Sequence, residues 1–364
     1  MTSWPTKKLG ETCEIIPPGI KEFEGSKKYI ATADVDFDKI LDFTEITYKN
    51  RPSRANMEVK ENYVLVARMA ETKKFLMADK NLQDNYIFST GFAVLRAKDE
   101  LIPKYLFYFL TTKDFSLQKD KLSVGATQKA INNPALKKIK IPIPPLKIQQ
   151  KIVERLDVIK KAQELNAKQI ELAEELFQSL LHCELDPKGK NWEVKRIKQI
   201  LSSQKFTVGK LNRDKYQKSG QIPIIDQGDN EIAGYSDNKN LVYTGELPIV
   251  IYGDHTRIVK YVDFPFIIGA DGVKILNPKK EILIPKYLYY ALHCFNVESR
   301  GYKRHFPILK EKEIPLPPLE TQQKIVEKLS AVQNYKKKLL DQKQKLQELF
   351  ESVLNKSFKG ELVG

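Results

Sequence analysis

Cysteine is scarce in this chain: three residues among 364. Cys13, Cys183 and Cys294 stand too far apart for a zinc pattern and are too few for a disulfide framework, which fits a reducing compartment. Long apolar runs are missing as well. The most apolar stretches, such as residues 247–252, fall far short of the roughly 20 residues that a membrane-spanning helix needs. Residues 1–8 lack the apolar core of a signal peptide. A cytoplasmic protein without a membrane partner is therefore expected. Also absent are a glycine-rich phosphate loop ending in Gly-Lys-Ser/Thr and the Asn-Pro-Pro-Tyr or Asp-Pro-Pro-Tyr tetrapeptide of amino-methylation; Asn132-Asn133-Pro134-Ala135 does not match it. These absences argue against metal, nucleotide and methyl-transfer chemistry in this chain.

Positive charge is plentiful. Lys+Arg number 61 against 46 Asp+Glu, a formal net charge of +15, and such an excess favours a polyanionic partner. With 41% hydrophobic residues the chain can build substantial cores, and its length calls for more than one domain.

The chain also repeats itself. Ile141-Pro142-Ile143-Pro144-Pro145-Leu146 leads into Gln149-Gln150-Lys151-Ile152-Val153-Glu154. At an offset of 173 residues, Ile314-Pro315-Leu316-Pro317-Pro318-Leu319 leads into Gln322-Gln323-Lys324-Ile325-Val326-Glu327. The match runs without a gap to Glu175-Leu176-Phe177 and Glu348-Leu349-Phe350. Shorter echoes precede it: Trp4 and Trp192, then Leu101-Ile102-Pro103-Lys104-Tyr105-Leu106 and Leu283-Ile284-Pro285-Lys286-Tyr287-Leu288. Each half thus reads as a globular region followed by a long helix of matched length, while the globular interiors have diverged.

Proline restrains the hexapeptides to extended backbone, so the helices should begin near Pro145 and Pro318. Beyond them, positions alternate at four and three. The first copy gives Ile152, Leu156, Ile159, Gln163, Asn166, Ile170, Ala173, Phe177 and Leu180; the second gives Ile325, Leu329, Val332, Lys336, Leu339, Lys343, Leu346, Phe350 and Val353. That is a heptad seam with polar interruptions, and each helix has a near-copy in the same chain as its antiparallel partner. About forty residues make a rod of roughly 60 Å, equal to roughly 17 base pairs of duplex. The globular halves read as mixed α/β. Residues 63–67, 247–252 and 264–268 are of strand length, with Pro265 pushing the last toward an edge or bulge. Short helices are expected at residues 105–110 and 287–292, with Pro103 and Pro285 near their starts.

The resulting fold class is two α/β (α+β) globular domains separated by two long antiparallel coiled-coil helices, with pseudo-two-fold symmetry. The segments are 1–144, 145–187, 188–317 and 318–364.

Candidate contact residues gather in the globular halves. Arg51, Arg54, Arg68, Lys73 and Lys74 make a basic stretch in the first, and Arg300, Lys303, Arg304 and His305 one in the second. Gly125-Ala126-Thr127-Gln128-Lys129 offers a hydroxyl, an amide and a cation suited to phosphate and adenine contacts, or a plain turn. Asp254, His255 and Arg257 invite an acid–base reading, but no nucleophile or metal-ligand partner accompanies them, and Thr256 lies among them as a candidate phosphate contact. A DNA-facing loop and a structural loop both suit them. Gln227 and Asn230, in a glycine-punctuated stretch, complete the set.

The doubled Pro-Pro-Leu-x-x-Gln-Gln segments, the two Glu-Leu-Phe helix ends and Ser357-Phe358-Lys359-Gly360-Glu361-Leu362 resemble the specificity subunit of type I restriction-modification systems, over essentially the whole chain. The resemblance implies two target recognition domains, each reading half of an asymmetric bipartite site in double-stranded DNA. It implies no catalytic or metal residue here. S-adenosylmethionine, ATP and Mg would belong to partner subunits: two modification (methyltransferase) subunits, with restriction/translocase subunits also compatible. It makes Gln149, Gln150, Ile152, Leu156, Ile159, Phe177, Gln322, Gln323, Ile325, Leu329, Val332 and Phe350 the candidates for docking and coiled-coil contact. A sequence-blind coiled-coil scaffold and a fragment of a fused restriction-modification enzyme are the alternatives.

Overall fold

A computed structural model describes residues 4–126, 128–203, 209–294, 301 and 303–361. Thr127 and Arg300, two of the candidate contacts, lie outside them. Five helices organise the account: α1 (Pro103–Thr111), α2 (Lys113–Leu122), α3 (Leu146–Leu185), α4 (Pro285–His293) and α5 (Leu319–Lys359). Proline opens α1 and α4 at their first turn, where the missing N–H costs nothing. Helices α3 and α5 start one residue after Pro145 and Pro318.

The chain forms two compact units, Met1–Asn166 with Gln342–Gly364, and Ala167–Asp341. The division does not follow the sequence segments. Each unit takes one globular region, the near half of its own long helix and the far half of the other.

In the first unit, Thr44–Ile46, Lys27–Ile30, Tyr86–Ser89 and Ala55–Met57 form one four-stranded sheet in that order. Cys13–Ile16, Phe92–Ala97, Val64–Ala67 and Phe75–Met77 form a second, antiparallel throughout. All four residues of Val64–Ala67 are buried, and strand alternation explains why. Val64 and Val66 join α1 and the long helices in one cluster, while Leu65 and Ala67 join Ile30, Met57 and Phe88 of the other sheet in another. The order is therefore helices, sheet, sheet. The far end of α5 seals this core: Leu354 lies in the cluster of Leu156, and Phe358 packs 4.7 Å from the ring of Tyr105.

The second unit repeats the layering with shorter sheets. Val259–Val262, Ile249–Gly253 and Val273–Leu276 form a three-stranded sheet. Val250 and Tyr252 face α4 and the long helices, whereas Ile249 and Ile251 face Ile225, Phe266 and Ile268. After Pro265 the strand is short: Ile267–Ile268 lies beside Ile222–Ile225, with Val242 bridging Ile267 on its other side and Tyr243 N–H donating to the Phe266 carbonyl at 2.8 Å.

Within each unit the long helices pack antiparallel. Gln163 Nε2 donates to the Leu346 carbonyl at 3.2 Å in the first; Glu184 meets Lys328 at 2.7 Å and Glu174 meets Lys336 in the second. The heptad seam holds at Ile152, Leu156, Ile159, Ala173 and Phe177, all buried, but slips by one residue at both far ends. Leu181 and Leu354, not Leu180 and Val353, are the buried residues there, and Lys343 is exposed. A 3.6-residue turn outruns a 3.5-residue repeat by about 20° per heptad, so after four heptads the buried face has moved on.

Candidate nucleic-acid interface

The scaffold that presents the loops is built the same way twice. Gln149, fully buried, accepts a hydrogen bond from Ile102 N–H at 2.9 Å and donates to the carbonyls of Glu100 and Pro144, both at 2.9 Å. Gln322, equally buried, accepts from Ile284 N–H at 2.9 Å and donates to Ile282 and Pro317, both at 2.8 Å. Tyr105 donates to the Pro142 carbonyl at 3.0 Å and Tyr287 to Pro315 at 2.9 Å, and burial pushes both phenols well above their ordinary pKa. One amide thus clips the start of each long helix to the loop before α1 or α4. Of the glutamines left open as docking or capping residues, Gln149 and Gln322 are spent inside their own unit. Their neighbours Gln150 and Gln323 are exposed and bond only Glu154 and Glu327 one turn on. Ile152, Leu156, Ile159, Ile325 and Leu329 are buried and Val332 half-buried. Phe177 packs on Tyr290 at 6.0 Å and Phe350 on Tyr108 at 6.1 Å. Of the candidate docking residues, only Gln150 and Gln323 present themselves outward.

In the first unit, the turn after Val64–Ala67 and the loop after α2 meet. Ala70 N–H donates to the Lys129 carbonyl, Ile131 N–H to Arg68, and Val124 and Ala130 pair with each other. Gly125 is required there: at φ +142° a Cβ would stand 2.3 Å from the Gln128 carbonyl oxygen. Lys73, Gln128 and Lys129 are exposed on this surface, with Met69 and Val124 beside them. Arg54 is exposed on a separate turn. The remaining cations are occupied. Arg68 reaches the carbonyls of Phe92 and Ile131, and burial lowers its pKa; Lys74 donates to Thr32 at 2.7 Å; Arg51 stacks on Tyr48. These three members of the basic stretch are half-buried and have partners within the chain. They brace the backbone, because a half-buried guanidinium or ammonium must find carbonyl partners.

In the second unit, Gln227 ties three loops. Its Oε1 accepts from His255 N–H at 3.1 Å, its Nε2 donates to the Asp271 carbonyl at 2.9 Å, and its own carbonyl accepts from the Thr256 hydroxyl at 2.6 Å. Gly253 and Gly272 make room for it: a Cβ would stand 2.9 Å from Gln227 Cβ or 2.5 Å from its Nε2. With both ends of its amide engaged, Gln227 is a tie more than a base reader. Asp254 is buried beneath. Its carboxylate accepts from Phe306 N–H at 2.8 Å and lies 3.4 Å from Lys274 Nζ, and its carbonyl accepts from His305 N–H. Burial works to raise the Asp254 pKa, but the Phe306 N–H and Lys274 outweigh it and hold it below the usual carboxylate value. His305, read as a surface contact, is fully buried with Nδ1 3.0 Å from the Asp254 carbonyl. Arg257 is half-buried at φ +67°. Thr256, Asn230, Lys303 and Arg304 are exposed and His255 half-exposed.

Sequence reasoning missed two buried ammonium groups. Lys260 donates to the Asn230 carbonyl at 2.6 Å beside Asp226, its pKa lowered by burial. Lys119, 1% exposed, donates to Met69 and Thr72 carbonyls at 2.9 and 2.7 Å. Its place four residues after buried Phe115, on the inner face of α2, was the available signal. Among the described residues no group of three or more His, Cys, Asp or Glu could hold a metal ion.

One scaffold built twice, each copy showing its own cations, amides and hydroxyls on loops, defines the class: a tandem recognition protein with two differently armed surfaces. A family model described as the type I restriction modification DNA specificity domain matches residues 1–175 and again 189–349, so the chain belongs to that family and carries two of its domains. The putative type I restriction enzyme MjaX specificity subunit of Methanocaldococcus jannaschii is 22% identical over 99% of this chain and 93% of its own length. The MjaIX specificity subunit of the same organism is 31% identical over 37% of this chain, which spans about a third of that relative, 35%. A crystal structure of the S subunit of a type I restriction-modification system from M. genitalium superposes with a TM-score of 0.64 at 16% identity, covering 98% of this chain and 96% of that one. The HsdS subunit of Thermoanaerobacter tengcongensis gives 0.52 at 23% identity, with 99% and 97% covered. These structural likenesses bear on the fold, which is two mixed α/β domains with long helices.

Proposed function

We propose that this chain is the non-catalytic address of a type I restriction-modification complex. Each globular domain reads one half of an asymmetric, bipartite site in double-stranded DNA, and the paired helices fix the spacer and dock two modification subunits. S-adenosylmethionine, ATP and Mg work on partner subunits, and restriction/translocase subunits are compatible with the same assembly. The observation that carries this reading is the contrast between a joint repeated bond for bond at Gln149 and Gln322 and loops that share almost nothing. A common frame with unlike contact surfaces is what reading two unlike half-sites requires. On the first domain Lys73, Gln128 and Lys129 are the contact residues, and on the second Asn230, Thr256, Lys303 and Arg304.

The test is a genome-wide adenine-methylation map in cells expressing this chain with its modification subunit. A split motif with a fixed spacer, of which one half changes when one globular region is exchanged, is the expected result. A stable complex with an active modification subunit that marks no motif would instead favour a scaffold. Inserting one heptad into both α3 and α5, about 10 Å of helix, should lengthen the tolerated spacer by about three base pairs. An unchanged spacer would reject the helices as its ruler.

A further inference from the structure

Lys119 buries an ammonium where no chemistry asks for one. It is 1% exposed at the inner face of α2, and it gathers the turn after Val64–Ala67: Met69 carbonyl at 2.9 Å, Thr72 carbonyl at 2.7 Å, Thr72 hydroxyl at 3.4 Å and Ala67 carbonyl at 3.5 Å. The next residue adds a second tie, Asp120 Oδ1 accepting from Glu71 N–H at 2.9 Å, and Glu71 itself sits at φ +60°. Such a backbone conformation is costly for a side chain with a Cβ and persists only where the surroundings impose it. The same turn then accepts the loop after α2 through Ala70 N–H to the Lys129 carbonyl and Ile131 N–H to the Arg68 carbonyl. On this joined surface stand Lys73, Gln128 and Lys129 with exposed Met69 and Val124, a cation–amide–apolar set suited to phosphate, adenine and thymine methyl.

We propose that Lys119 is a positioning residue for half-site specificity: by gathering the carbonyls of the Ala67–Thr72 turn it sets the geometry of the Lys73–Gln128–Lys129 surface without touching DNA itself. The inference rests on the reading of this chain as a DNA specificity subunit. An apolar core would have been the ordinary solution beneath this turn. Burying a charge costs stability unless hydrogen bonds answer it, and here the turn's own carbonyls answer it. Burial lowers the Lys119 pKa, with Asp120 opposing, in keeping with a desolvated cation.

The experiment uses the full chain in complex with its modification subunits, and compares methylation of matched sites with sites carrying one substitution in either half. Exchange of the first globular region in the wild-type chain assigns its half-site. Lys119→Met should lower discrimination in that half roughly tenfold, the scale of one good base contact, while the other half is read as before. Asp120→Ala, which leaves the ammonium in place, should relax the same half to a smaller extent. Lys73→Ala, a contact on the surface, should weaken methylation of all sites about equally. Unchanged discrimination in Lys119→Met overturns the proposal, as does a uniform loss in both halves, the mark of a merely structural role. Should Lys119→Met yield no complex, unchanged discrimination in Asp120→Ala overturns it. Absence of a split motif in the wild-type map removes the specificity reading itself, and this inference with it.

Discussion

The two units tie their loops with different sets of buried polar groups. The first gathers its turn on a buried ammonium, Lys119; the second adds to a buried ammonium of its own, Lys260, a buried carboxylate, Asp254, and a neutral amide, Gln227. Away from the loops the units agree closely, down to the glutamine clip and the tyrosine-to-proline bond. The units differ most in their loops, and to a smaller extent in the side chains that join each domain to its long helix. Such a division lets a duplicated frame diverge at its contact surface while its folding remains common to both copies.

The claim of a common frame is most exposed at the clip. Gln149→Ala leaves one buried N–H and two carbonyls without partners, and so does Gln322→Ala. Three orphaned groups should cost about 3 kcal/mol in each unit. Peptide-resolved hydrogen exchange at increasing denaturant can read the units separately. Similar losses of protection, each confined to its own unit, are expected; a clip that matters in only one unit would break the comparison.

That clip was half legible in the sequence. The doubled Gln-Gln, the Ile-Pro-Lys-Tyr echoes and the gapless helices marked the repeated parts, because a repeat of local pattern survives in local sequence. Which glutamine of each pair turned inward was not legible. Gln149 is chosen by carbonyls at Glu100 and Pro144, and its reach across 49 residues has no local trace. The loops were read least well for the same reason. His305, among lysine and arginine, looks like a surface residue and is fully buried because Asp254, 51 residues earlier, offers its carbonyl. Arg68 and Lys74 follow the same logic: a cation beside a strand cannot reveal from sequence whether it points to solvent or to a carbonyl.

Asp254 and Lys119 both make stability rise with pH, Asp254 through the acid range and Lys119 through the alkaline range. Asp254 is held below the ordinary carboxylate value of 3.8, so its contribution is complete above that pH and fades as pH falls through its folded-state pKa. Asp254→Asn keeps an oxygen for Phe306 N–H but loses the charge facing Lys274. A stability gap of about 1 kcal/mol at neutral pH, closing on acidification, is expected in the second unit. Lys119 is held below 10.5, so its buried charge destabilises the first unit at neutral pH. Its unfolded form binds more protons as pH rises through the folded value, so the first unit should gain stability on alkalinisation up to the ordinary lysine range. Lys119→Met should abolish that gain. A gap in the second unit that persists at low pH, or a first unit indifferent to alkali, would dissolve the contrast.

The smallest effect lies where each domain meets its own long helix. In the first unit Lys104 pairs with Asp157 at 2.8 Å, Tyr108 donates to the same carboxylate, and Lys160 pairs with Asp38. At the matching places of the second unit Tyr290 meets Ser330 and Gln333, both at 2.9 Å, with no charge involved. The Lys104 and Asp157 side chains are 42% and 34% exposed, so solvent screens the pair and Asp157→Asn should cost only about 0.5 kcal/mol. That cost should shrink at 1 M salt, where the screening length is about 3 Å; Ser330→Ala should cost a similar amount at any salt. Ser330→Asp sharpens the point, since Lys286 stands at the position equivalent to Lys104 and could take the place of the ionic partner. If charge alone separates the two joints, that single substitution should give the second unit the salt response of the first, read as exchange protection of α4 at low and high salt. A response unchanged by Ser330→Asp would mean that the joints differ in packing and not only in charge.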